Sequence, residues 1–240
     1  MPETTIALVQ LEPTEAYDAN VEAALNGIAE AARQGAEAVF LPESFHVKGP
    51  SELRFATATP IPGPLSDALS AAARDAGVWL LAGSFNEKID RPDKLSNTSL
   101  LFGPDGAIVE SYRKIHLFDV TVGDEVVARE SDRNLAGDRT VVVDTPFGRM
   151  GLSICYDVRF PELYRTLALQ GAELLAVPSN FAMFTGKDHW EVLLRARAIE
   201  NGAYVIAPAT TGRHGGFASY GRSLVVDPWG TVVACASDGR

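Results

Sequence analysis

TIALV at residues 5–9, YDANVEAALNGIAEAARQ at residues 17–34 and AVFLPE at residues 38–43 decide the fold class between them. Thr5–Val9 is an apolar run of strand length. From Tyr17 to Gln34 the apolar residues Val21, Leu25, Ile28 and Ala32 recur at the spacing of a helix with one buried face. Asp18 or Asn20 is placed to cap its start and Gly35 to end it. Ala38-Val39-Phe40-Leu41 is a second strand, cut short by Pro42. The unit is β-α-β, with Glu43 just past the carboxyl end of its second strand.

Working outward, Pro60, Pro62, Gly63 and Pro64 mark a turn before a helix over Leu65–Ala76. Strands are expected at Val78–Ser84, Thr98–Phe102, Ala107–Arg113, Thr140–Val143 and Met150–Cys155. Gly103-Pro104-Asp105-Gly106 is a hairpin turn signal between two of them. A helix over Pro161–Gln170, a strand over Leu174–Pro178, a helix over Asp188–Asn201 and a strand over Tyr204–Pro208 follow. A hairpin of Ser219–Val226 with Thr231–Ala236 completes the chain. With no repeat, low-complexity tract or linker, residues 1–240 read as one α/β domain. Helix-connected strands flank a hairpin-rich middle, which predicts two mixed sheets packed face to face with helices outside.

Composition narrows the function. The chain has 240 residues, 46% hydrophobic and 22% charged, as an ordinary soluble globular protein does. A net charge of −10 removes any broad nucleic-acid or anionic-membrane footprint. Two cysteines cannot build a disulfide framework, so a reducing, cytoplasmic setting is expected. The N-terminus lacks a basic export signal, and no apolar run approaches the roughly 18 residues of a spanning helix.

Three residues carry candidate chemistry. Cys155 ends an apolar strand just before the helix opened by Phe160-Pro161-Glu162, where backbone N–H groups favour thiolate and can bind an oxyanion. A carboxylate held out of water, as Glu43 in Leu-Pro-Glu-Ser-Phe is placed to be, gains base strength. Lys114, one of only five lysines, lies in the apolar context Tyr-Arg-Lys-Ile-His-Leu-Phe. Singly, each has a bland reading: a packing cysteine, a loop glutamate, an edge-strand lysine. Jointly, they stand at strand ends on separate segments, where α/β folds place their sites. Cys235, in a plain apolar strand, is read as packing.

The strings Leu41-Pro42-Glu43-Ser44-Phe45, Tyr112-Arg113-Lys114-Ile115-His116-Leu117-Phe118-Asp119 and Ile154-Cys155-Tyr156-Asp157-Val158-Arg159-Phe160-Pro161-Glu162 resemble the nitrilase superfamily of carbon–nitrogen hydrolases in order and spacing. The resemblance implies a four-layer α-β-β-α sandwich that pairs into a homodimer. It puts a catalytic glutamate, lysine and cysteine at Glu43, Lys114 and Cys155, with Glu130 assisting. It implies cysteine-dependent hydrolysis of an amide in a small carboxylated substrate through a thioester, releasing ammonia. The Tyr156 N–H would stabilise the oxyanion, and no metal or organic cofactor is needed. The segment His189–Glu200, Gly212-Arg213-His214 and Ala218-Ser219-Tyr220-Gly221 look like the branch that cleaves deaminated glutathione, with the ω-amidases as neighbours and nitrile chemistry still open.

Physical reading supplies substrate-binding candidates. Arg213 and His214 offer local cations for a carboxylate, and Asn180 and Phe181 follow a strand end that can line a pocket. Arg195, Arg197 and Glu200 are expected to form ion pairs along their helix, and Arg159 with Glu162 a similar pair. The rivals are a Cys–His hydrolase using His116, His189 or His214, and a non-catalytic scaffold or binding domain. The chain stops at Ser237-Asp238-Gly239-Arg240, where superfamily members continue, so a C-terminal truncation is expected.

Overall fold

The computed structural model describes residues 3–122, 125–214 and 217–239. The first sheet has six strands: β1 (Ile6–Leu8), β2 (Ala38–Phe40), β3 (Trp79–Leu81), β4 (Phe85–Lys88), β5 (Leu95–Phe102) and β6 (Ile108–Arg113). A separate hairpin joins β7 (Asp119–Val122) to β8 (Glu125–Arg129). The second sheet contains β9 (Val141–Thr145), β10 (Gly148–Leu152), β11 (Leu174–Ala176) and β12 (Tyr204–Ala207). After the hairpin β13 (Thr211–His214) and β14 (Phe217–Tyr220), it is completed by β15 (Leu224–Val226) and β16 (Val232–Cys235).

Both sheets are mixed. β1, β2 and β3 run parallel and β3 meets β5 antiparallel; β10, β11 and β12 run parallel between antiparallel β9 and β15. Strand alternation then builds the layers. Val39, Leu41, Leu80 and Leu100 face α1 (Tyr17–Arg33) and, beyond α2 (Ser51–Ala56), α3 (Pro64–Ala76). Those helices answer with Ala24, Ile28 and Ala31, and with Leu65, Leu69 and Ala73, at helical spacing. The alternate residues Ala38, Phe40, Leu81 and Leu101 share a core with the second sheet. Leu163 and Leu167 of α4 (Pro161–Leu169) and Trp190 and Leu194 of α5 (Met183–Asn201) cover the far side. The result is the expected α-β-β-α sandwich.

The differences from expectation have local causes. β4 was hidden because its central residues Asn86 and Glu87 are polar yet buried: Glu87 accepts from Arg113 and Thr98. The short α2 and the β7–β8 hairpin lie outside the expected elements as well. The stretch Ser219–Val226 is not one strand, because Gly221 and Arg222 at φ 71° and 57° turn the chain between the two sheets it joins. Helix α5 begins at Met183 rather than Asp188, and Gly186 makes this possible, since a Cβ there would lie 2.5 Å from the Tyr220 ring. Asn20 does not cap α1; it is buried and donates to the Thr14 and His46 carbonyls. Cys235 is exposed rather than packed.

Candidate active site

The carboxyl ends of β2, β10 and β11 converge. Glu43 leaves β2 past Pro42, against Gly83, whose φ is +55° and where a Cβ would fall 2.0 Å from the Pro42 carbonyl oxygen. Only glycine permits that approach. Cys155 follows β10 at φ +47°, a conformation costing an L residue about 1–3 kcal/mol, and its N–H is tied to the Pro178 carbonyl at 3.0 Å. Asp157, fully buried, fixes this turn: it accepts from the Ile154 N–H (2.8 Å), the Tyr112 hydroxyl (2.7 Å) and the His116 N–H (3.0 Å). The same carboxylate thereby links the Cys155 turn to the segment carrying Lys114.

Lys114 Nζ donates to Glu43 Oε1 at 3.1 Å and to Glu130 Oε2 at 2.9 Å. Asn97 bridges the same two carboxylates, at 2.9 Å to Glu43 and 3.3 Å to Glu130. Glu130 also accepts from the Phe118 N–H (2.7 Å) and Asn134 (3.0 Å), and Glu43 Oε2 from the Asn180 N–H (2.8 Å). Burial alone would lower the lysine pKa, but Glu130 and Glu43 outweigh it and hold Lys114 well above its ordinary range. Glu130, for which burial pulls the other way, is brought down to about 2 by Lys114 and its N–H donors. Burial first, then the Glu43 charge and hydrogen bond, push the Cys155 thiol well above its ordinary value. That direction favours the thiol rather than the thiolate suggested by the helix start, with the Glu43 carboxylate beside it.

A carbon–nitrogen hydrolase family model matches residues 5–240. The chain belongs to that family. It is 45% identical over 241 residues to the deaminated glutathione amidase of Rattus norvegicus, covering 98% of this chain and 73% of that protein. It is 42% identical over 233 residues to the omega-amidase NIT2 of Homo sapiens, covering 96% of this chain and 83% of the relative. The solved NitFhit protein of C. elegans superposes with a TM-score of 0.90 at 42% identity, over 98% of this chain and 59% of that one. This carbon–nitrogen hydrolase is an enzyme of the amidase kind, with the nitrilase fold.

Around the cluster, the hydrolase places Tyr156 half-buried, its ring edge-on to Phe118 and Phe160. The N–H groups of Cys155 and Asp157 are taken by Pro178 and Ile154, while that of Tyr156 makes no hydrogen bond among the described residues. Asn180 turns its side-chain oxygen toward Thr210 and Ser219 hydroxyls at 2.7 and 2.6 Å, so its backbone, not its amide, faces Glu43. Phe181 is buried against Trp190. Arg213 is exposed on β13; the side chain of His214 lies outside the described residues. Arg197 does pair with Glu200, but Arg195 pairs with Glu191.

Two cations were missed or misread. Arg159, expected to pair with Glu162, instead lies over the rings of Phe181 (5.3 Å) and Tyr156 (5.8 Å) beside His189. Its place four residues after Cys155 was the available signal. Lys48, five residues past Glu43, turns inward to 3% exposure, and only its position in the Glu43 loop could have marked it. Among the described side chains no histidine hydrogen-bonds Cys155: His116 is held by Asp157 and stacks on Phe160.

Proposed function

We propose that Glu43, Lys114 and Cys155 form the catalytic triad of an amidase acting on a small carboxylated amide, with Glu130 holding Lys114. The observation that carries this reading is the buried ammonium of Lys114 between the Glu43 and Glu130 carboxylates, with the Cys155 thiol placed to donate to Glu43. Glu43 takes the thiol proton as sulfur attacks the amide carbon. The developing oxyanion is stabilised by Lys114 and the free Tyr156 N–H. Glu43 passes the proton to the nitrogen, the C–N bond breaks, and a thioester remains on Cys155. Water, deprotonated by Glu43, then releases the acid and the proton returns to sulfur.

Arg159 is the cation we assign to the carboxylate of the acyl part, since two aromatic rings hold its guanidinium and no described carboxylate pairs with it. Asn180 and Phe181 line the same wall, and Arg213 and His214 stand on the hairpin beyond. The first substrate to test is deaminated glutathione, whose amide hydrolysis frees cysteinylglycine; ammonia is the product of primary amides alone. The ω-amides α-ketoglutaramate and succinamate are the second reading, favoured by the identity to the human omega-amidase. Product assays on the three compounds test both: cleavage of none of them overturns the amidase assignment.

We read residues 1–240 as one catalytic unit that pairs with a second copy through α5, where Phe184, Val192 and Ile199 are exposed. Light scattering at half the expected dimer mass would contradict the pairing. No helix among the described residues is long and apolar enough to cross a membrane. Both cysteines are free, which suits a reducing cytoplasm.

A further inference from the structure

Three cations stand together on the Glu43 side of the site without a matching anion. Lys48 Nζ lies 5.2 Å from the centre of the Phe217 ring, and the residue is 3% exposed. Arg54, on α2, donates Nε to the Gly49 carbonyl at 3.1 Å. Arg133, just past the short helical turn Glu130–Asp132, has a buried Nε with no hydrogen-bond partner among the described residues. None of the ion pairs among described side chains involves any of the three. Yet they are close enough for charge to act between them: Arg54 on Lys48, and Arg133 on Arg54. Lys48 also feels Glu43 and Cys155, and Arg54 feels Glu43 and Glu130.

Gathering three cationic side chains and burying one of them is unfavourable, and it is relieved either when Lys48 gives up its proton or when an anion completes the group. Glu43 and Glu130 cannot do so, because Lys114, Asn97, Asn134 and backbone N–H groups occupy their oxygens.

We propose that Lys48, Arg54 and Arg133 form a second anion subsite that holds a carboxylate carried by the departing amine. This rests on the triad reading above. The leaving nitrogen must face the group that protonates it, Glu43, so the rest of the amine extends toward Lys48 and the Phe217 ring. The acyl part, fixed by sulfur, extends toward Arg159. Such a site selects amides of amino acids or short peptides with a free carboxyl end over primary amides. It is thus a device that separates the deaminated glutathione type of substrate from the ω-amide type.

The test compares deaminated glutathione with the same molecule carrying a terminal carboxamide, and with α-ketoglutaramate, in the wild type, Lys48→Met and Arg133→Gln. The expected wild-type preference for the free carboxylate is about 10- to 100-fold in kcat/KM, expressed mainly in KM. Each variant should cut that ratio about tenfold, the loss on the acid exceeding the loss on the carboxamide. No wild-type preference, or equal losses on both substrates, overturns the subsite. A readout independent of turnover is protection of Cys155 from iodoacetamide by N-acetylglycine, followed on the Cys155 peptide. Protection in the wild type that is lost in Lys48→Met supports the subsite even if no amide is cleaved, an outcome that would defeat the amidase reading alone; absent protection counts against it.

Discussion

The backbone N–H of Asn180 donates a 2.8 Å hydrogen bond to Glu43 Oε2. Asn180 follows β11 of one sheet and Glu43 follows β2 of the other, so the bond closes the site across the sandwich. A backbone donor cannot rotate away, and it leaves Glu43 Oε1 to Lys114 and Asn97. The Glu43 carboxylate, the proposed base, is therefore held by the fold itself, in the same turn of chain that places Phe181 beneath Arg159.

Asp157 is the corresponding anchor for the turn that carries Cys155. Asp157→Asn sets an amide N–H₂ against the Tyr112 hydroxyl or the Ile154 and His116 N–H groups, all of which now donate to it. The expected cost is about 2–4 kcal/mol of stability, read from the urea midpoint. The expected fall in kcat is about tenfold, with little change in KM, because the turn at Cys155 loosens rather than the binding wall. A variant of wild-type stability would contradict this role.

Glu130 gives the protein an acid-labile contribution. Its pKa lies at about 2 against an ordinary 4.5, so the folded state holds one proton fewer between those values. The stabilisation is complete above about pH 4.5 and disappears as pH falls toward 2. It amounts to about 3 kcal/mol. Unfolding free energies of Glu130→Gln and wild type, measured across that window, should differ at neutral pH and converge at its acid end. A constant difference would rule the ionisation out.

Lys48 behaves in the opposite sense. Burial, then Arg54 and to a lesser degree Lys114, bring its pKa down to about 7 against the pull of Glu43 and Cys155. Between pH 7 and its ordinary 10.5 the unfolded chain keeps a proton that the folded chain has lost, so stability rises with pH there. Lys48→Met should therefore raise the melting temperature most at pH 7 and below, with the gain vanishing toward pH 10.5. A gain independent of pH would point to packing alone.

Much of this was legible in the chain. Apolar rhythm marked the strands that are buried on both faces, such as Ala38–Phe40 and Leu174–Ala176, and the helices α1 and α3. Glu43, Lys114 and Cys155 stood out as polar residues at apolar strand ends. Elements whose polar groups are satisfied internally stayed hidden: β4 contains the buried Glu87, which reads as surface until Arg113 and Thr98 are seen beside it. Arg159 was misassigned for a related reason, since ring faces from Phe181, distant in sequence, replace the expected Glu162. Lys48 carries no sequence signal beyond its nearness to Glu43, because the ring it meets belongs to Phe217, far along the chain.

The most direct test of the central claim is the turnover of carboxylated amides by Cys155→Ala, beside a Cys235→Ser control, with both checked for wild-type circular dichroism. The account predicts that Cys155→Ala loses at least about a thousandfold in kcat while Cys235→Ser, altered at an exposed strand position, keeps full activity. Folded Cys155→Ala enzyme retaining a tenth or more of the wild-type rate would contradict it.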